Sequence, residues 1–238
     1  MPDLIRIDPR FCGPPTSANG GYAAGRLAAA LGGIVRVRLH APPPLQTDLS
    51  IQVEGECARL LDGTHLIAEA HKDAGTALPW PPQIPDFETA QAAMVDYPGH
   101  HRHIFPGCFS CGPARAPDDG LCIFPGAIAE GVVAGTWQPQ PSQVNADGEA
   151  PPEIIWAAID CAGYWALAQG QAKPGAMLLG QIRGVVEHRV QRAQRCVIVG
   201  WRIGSQGRKH HAGTALIDAR GVCIARSEQT WIALNQPD

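Results

Sequence analysis

The chain is poor in charge. Only 17% of its 238 residues are Asp, Glu, Lys or Arg, against 45% hydrophobic. A disordered chain needs the reverse balance, so a globular protein with ample core is expected. The 19 basic and 22 acidic residues leave a net charge of −3, and no long basic block occurs. Nucleic acid is therefore not an expected partner. No stretch approaches the ~18 consecutive apolar residues of a membrane span. The opening "MPDLIRIDPR" has no apolar signal core, so no membrane partner and a cytoplasmic location are expected. The eight cysteines are then read as reduced thiols.

What is present is a plan carried out twice. Residues 4–7 alternate weakly as a short strand. "TSANGGYAAGRLAAALGG" (16–33) follows, read as a helix near 19–31 that Gly32-Gly33 ends. Period-two patterns at 34–41, 49–61 and 64–72 predict strands, the last two joined by Asp62-Gly63. "ALPWPPQIPDF" is too rich in proline for a core element. The second half reads as strands at 120–126 and 131–139, then a helix over 151–170 with Pro151 and Pro152 at its start. Strands at 177–190, 195–205, 210–219 and 221–234 complete it. The expected organisation is α+β, with halves at 1–76 and 104–238 and a proline-rich linker at 77–103.

The two helices are apolar or small nearly all round. Residues 22–31 carry only Arg26 as a charge, and residues 154–168 only Asp160. Such helices are enclosed rather than laid on one face of a sheet. Two strand–helix–strands units in tandem resemble the hotdog fold in its fused, double form. "NGGYAAGRLAAAL" resembles the helix opening of acyl-CoA thioesterases, where a Gly-Gly pair begins the central helix. "EIIWAAIDCAGYWAL" is similar to the phenylacetate-pathway type of thioesterase helix, and "TALIDARGVCIARSEQTWIAL" resembles the paired last strands of the same superfamily. The resemblance implies a double hotdog with two central helices wrapped by an antiparallel sheet.

It also implies a site. In those thioesterases the helix reads His-Gly-Gly, with an acid eight residues after the first glycine. Gly20 and Gly21 match the glycines of the first helix, but its acid position is Ala28 and its histidine position Asn19. Asp160 matches the acid of the second helix, but the glycine positions there are Pro152 and Glu153. Eight residues rise about 12 Å, so one helix start can face a side chain two turns into an antiparallel partner. One complete site per chain follows, with Gly20 and Gly21 donating N–H groups to an oxyanion and Asp160 acting as general base or nucleophile. A gap of about 4–7 Å is expected between them, for a carbonyl and one water. Tyr164 and Gln181 are candidates to orient the water. The competing reading of Asp160 is a structural ion pair with Arg26 or Arg183.

"HHRHIFPGCFSCGPAR" (100–115) holds a second constellation. Cys108 and Cys111 form C-x-x-C, with His103 and Cys122 near in sequence, but no second C-x-x-C completes a zinc motif. A tight turn with two buried thiols is the preferred reading, and neither a metal nor another cofactor is expected. Asn19, Arg183, Arg189 and Arg192 are candidates to bind substrate; Arg189 and Arg192, with Arg195, Arg208 and Lys209, could hold the phosphates of coenzyme A or else form a solvated strand edge. The expected function is an acyl-CoA or aroyl-CoA thioesterase, a hydrolase acting on a small-molecule acyl-CoA thioester; a homo-oligomer is also expected. The alternative is the same fold holding an acyl or aromatic ligand without turnover. A hydratase is disfavoured because residues 151–165 contain no histidine.

Overall fold

Alternation sets the sheet. In β2 (Val35–Leu39), Val35 and Val37 are buried while Arg36 and Arg38 point outward, the period-two pattern of a strand with one wet face. Ten further strands accompany it: β1 (Asp3–Arg6), β3 (Asp48–Glu54), β4 (Cys57–Asp62), β5 (His65–Lys72), β6 (Gly126–Ala129), β7 (Val132–Trp137), β8 (Met177–Val186), β9 (Cys196–Gln206), β10 (Lys209–Asp218) and β11 (Cys223–Ala233), with β7 buried along its whole length. In the computed structural model, which describes residues 3–73, 75–171 and 175–234, all eleven join one antiparallel sheet. Its order is β1-β3-β4-β5-β2-β8-β11-β10-β9-β7-β6. Apart from the extra edge strand β6, the two sides run in the same order, β1-β3-β4-β5-β2 and β7-β9-β10-β11-β8, and meet where β2 pairs with β8.

Among the described residues, five α-helices accompany the sheet: α1 (Gly20–Ala29), α2 (Phe87–Ala93), α3 (Gly99–Arg102), α4 (Pro152–Ala158) and α5 (Cys161–Ala168). α1 packs on β2, β4, β5 and β8, and α5 on β7, β9 and β10. α1 also lies directly against α4. Gly21 and Gly25 make that approach possible. A Cβ on Gly21 would stand 2.5 Å from the Trp156 carbonyl oxygen, and one on Gly25 2.6 Å from Glu153 Cα. No helix among the described residues is long and apolar enough to cross a membrane.

Four expectations need correction. The strand read over 49–61 is two strands, because Gly55 at φ +58° turns the chain between β3 and β4. The strand read at 120–126 is irregular, and β6 begins at Gly126. The segment 77–103 carries α2, capped by Asp86 accepting from the Thr89 N–H, and α3. The helix read as continuous over 151–170 breaks at Ile159-Asp160. Buried side chains take the carbonyls there: Thr214 Oγ1 of β10 and Gln229 Nε2 of β11 each donate to Ile159 O at 2.7 Å, and Ser110 Oγ, from a turn, donates to Ala157 O at 2.7 Å. With those acceptors engaged, the helical ladder stops and restarts one turn on.

Candidate functional site

The break in the second helix places Asp160. It follows the last turn of α4 and precedes α5, facing the first turn of α1. Asn19 caps α1, its Oδ1 accepting from the Tyr22 N–H at 2.9 Å. The Gly21 N–H, one residue earlier, donates to Asp160 Oδ2 at 3.0 Å. The Gly20 N–H has no hydrogen-bond partner among the described residues, and Gly20 lines the adjoining cavity. α1 therefore meets the acid with its orphan amides and the positive end of its dipole.

Asp160 is 2% exposed, and its Oδ1 has no hydrogen-bond partner. Burial pushes its carboxyl up to about 7, against the downward pull of the Gly21 N–H. Neither arginine proposed as a structural partner reaches it. Arg26 pairs with Glu153 at 3.5 Å, and Arg183 pairs with Asp73 at 3.2 Å. The acid is thus buried, uncompensated by a cation, and bonded to a helix start.

Beside it lies a cavity of about 290 Å³, lined by Asn19, Gly20, Asp160 and Tyr164 together with the apolar Leu39, Leu179 and Trp231. Cys108, Cys111 and Cys161 line it as well. Their three Sγ atoms lie within 4.8 Å of one another, with Cys108 Sγ 3.7 Å from Cys161 Sγ. The Cys108 thiol is drawn well below its ordinary value by hydrogen bonds from Cys111 and Cys161. Burial pushes Cys111 up, and the bonds shared with Cys108 and Cys111 push Cys161 up.

The structure brings together Asn19, Gly20, Gly21, Asp160 and Tyr164, and leaves the remaining candidates elsewhere. The expected gap of about 4–7 Å for a carbonyl and a water is not there; the Gly21 N–H touches the acid directly. Gln181 lies on β8 opposite Arg38 and Thr230, outside the cavity lining. Tyr164, with burial raising its hydroxyl to about 12, bonds Gly175 O at 3.4 Å rather than Asp160. Arg183 is 2% exposed and serves the β2–β8 seam. Arg189 pairs with Glu149. Arg192 lines a separate surface depression with Arg195 and Arg220. None of the three arginines lines the cavity. The missed members are Cys161, which no spacing rule connects to C-x-x-C, and the apolar wall from β8 and β11.

Solved structures with the same build include the tesB protein of Mycobacterium avium subspecies paratuberculosis, 14% identical, with a TM-score of 0.62 over 98% of this chain and 92% of that one. A protein of Novosphingobium aromaticivorans provisionally described as a thioesterase is 12% identical, with a TM-score of 0.62 over 98% of this chain and 95% of its own. A third, from Alicyclobacillus acidocaldarius, is described as a conserved protein of unknown function with hot dog fold; it is 10% identical, with a TM-score of 0.62 over 98% of this chain and 93% of its own. This chain has the hotdog fold. No family description matches it by sequence, and no curated protein does. The hotdog likeness spans nearly the full length of each partner, so α1 and Asp160 both fall inside it.

Proposed function

We propose that this protein is a thioester hydrolase of double-hotdog build, with one active site per chain where the two halves meet. The observation that carries the reading is Asp160: a buried acid without a cation partner, bonded to the first turn of α1 and lining a cavity. The sequence shows the same complementarity, with glycines in one helix and the acid in the other.

In this reading Gly20 and Gly21 divide the work. The Gly20 N–H and the positive end of α1 receive the thioester oxygen as it gains charge. The Gly21 N–H holds Asp160 by Oδ2, leaving Oδ1 to take a proton from water. Water attacks the carbonyl carbon, the carbon–sulfur bond breaks, and the thiolate leaving group takes the proton. Tyr164 and Trp231 wall the acyl group. A volume of about 290 Å³ suits a short acyl chain or a single aromatic ring rather than a long fatty chain. An acyl-CoA or aroyl-CoA ester is the substrate class proposed, with the coenzyme outside the cavity.

The direct contact of Gly21 with Asp160 favours one other reading, a module that holds an acyl or aromatic ligand without turnover. Thiol release from a panel of short acyl- and aroyl-CoA esters separates the two. Hydrolysis that Asp160→Asn lowers at least about a hundredfold supports the enzyme. Saturable ligand binding with no thiol release supports the module.

A further inference from the structure

The three buried thiols stand in an arrangement that a hydrophobic core has no reason to build. Cys108 and Cys111 come from one tight turn and Cys161 from the start of α5, yet their sulfurs converge within 4.8 Å. A tetrahedral zinc with Zn–S bonds of about 2.3 Å separates its sulfurs by about 3.8 Å. The Cys108–Cys161 distance is 3.7 Å. The turn is held tight by Gly112, whose N–H donates to Cys108 O at 2.9 Å and where a Cβ would stand 2.5 Å from Cys108 N.

The second observation is a ring of donors aimed at the sulfurs. Asn19 Nδ2 lies 3.9 Å from Cys108 Sγ and 4.0 Å from Cys161 Sγ. Trp165, 2% exposed, stands beside Cys111 with an indole N–H that has no hydrogen-bond partner. His103 Nδ1 accepts from the Phe105 N–H at 2.9 Å, which puts the ring hydrogen on Nε2, 3.2 Å from Cys111 Sγ. A neutral thiol is a weak acceptor and calls for no such shell; a thiolate does. The same hydrogen removes the Nε2 lone pair, so His103 is a donor to the cluster rather than its fourth ligand.

We propose that Cys108, Cys111 and Cys161 bind a zinc ion through three thiolates, with the fourth coordination position facing the cavity. Each thiol gives up its proton as the metal enters. Soft sulfur ligands in tetrahedral array select zinc among the common divalent ions. Because all three cysteines line the cavity, the open position takes water or an incoming thiol. The proposal is independent of thioester hydrolysis: a protein inert toward every thioester can still carry the metal.

The test is metal analysis of tag-free protein kept reduced, followed by chelation and titration with cobalt(II). About one zinc per chain is expected, and the cobalt form should show thiolate charge-transfer and intense tetrahedral bands. A small thiol added to the cobalt form should shift those bands. Cys108→Ser and Cys161→Ser should lose the metal and Cys122→Ser should keep it. His103→Gln should keep the stoichiometry and weaken affinity about 10–100-fold. Negligible zinc with no cobalt spectrum in the unaltered chain overturns the proposal, whatever the variants do. So does an iron–sulfur cluster, or a disulfide among the three cysteines in reduced preparations. Loss of the metal in His103→Gln overturns the open fourth position.

Discussion

Asp160 carries a charge where charge is least welcome. Its carboxyl titrates near 3.8 in an unfolded chain and near about 7 here. The folded state therefore holds the proton more tightly, and stability falls as pH rises from about 4 through about 7. The loss, complete above neutrality, is about 4 kcal/mol. Asp160→Asn keeps an acceptor for the Gly21 N–H but cannot ionise. It should unfold at higher denaturant concentration than the parent at pH 8, match it near pH 4, and be inactive. Denaturation curves at the two pH values check this; a variant weaker than the parent at pH 8 contradicts it. In the proposed hydrolysis, where Asp160 works deprotonated, the parent's rate should climb with pH through about 7. The partnership of this acid with α1 was legible through the thioesterase resemblance, which implies an acid eight residues after the first glycine. Its closeness was not, because spacing fixes rise along an axis and not the distance between helices. Gln181 misled for a different reason: the pairing slips between Thr230 and Trp231, so Thr230 faces Gln181 and Trp231 faces Leu179. A period-two reading has no means of seeing that bulge.

Among the elements, the contact of α1 with α4 governs the rest. Alanine is the better helix former by about 1 kcal/mol, and on propensity alone Gly25→Ala should stabilise α1. The added methyl would sit 2.6 Å from Glu153 Cα and 2.8 Å from Trp156 Cβ. Overpacking of that kind costs about 1–3 kcal/mol, so a net loss is expected, read as a lower denaturation midpoint with an unchanged slope. Any gain in stability would mean the helices are not in contact as described. The existence of both helices was legible from composition, since each is apolar all round. The interruption at Ile159 was not: the donors that stop it, Thr214 and Gln229, lie on β10 and β11, more than fifty residues downstream.

As a whole the molecule repeats itself and then departs from the repeat. At the position in α1 that mirrors Asp160 stands Ala28, 4% exposed, and the start of α4 carries Glu153 paired with Arg26. The repeated order of strands and helix was legible along the chain, and the resemblance implied one antiparallel sheet shared by both halves, as found; that β2 and β8 are the strands that meet was not legible, because nothing local distinguishes an edge strand from a central one. Asp73 ties that seam, held by Arg36 of β2 and by Arg183 of β8. We expect residues 1–103 and 104–238, produced as separate chains, to be insoluble alone and to assemble when produced together. Independent folding of either piece, seen by circular dichroism and a cooperative melt, would refute this. The α1–α4 contact bears also on the order of synthesis. α1 leaves the ribosome more than a hundred residues ahead of the segment that covers it. At about 5–20 residues per second it waits roughly ten seconds, with Gly21 and Gly25 facing no partner. β2 waits longer still for β8. The nascent first half is thus a holding state, and the cell's chaperones have a defined interval in which to guard it.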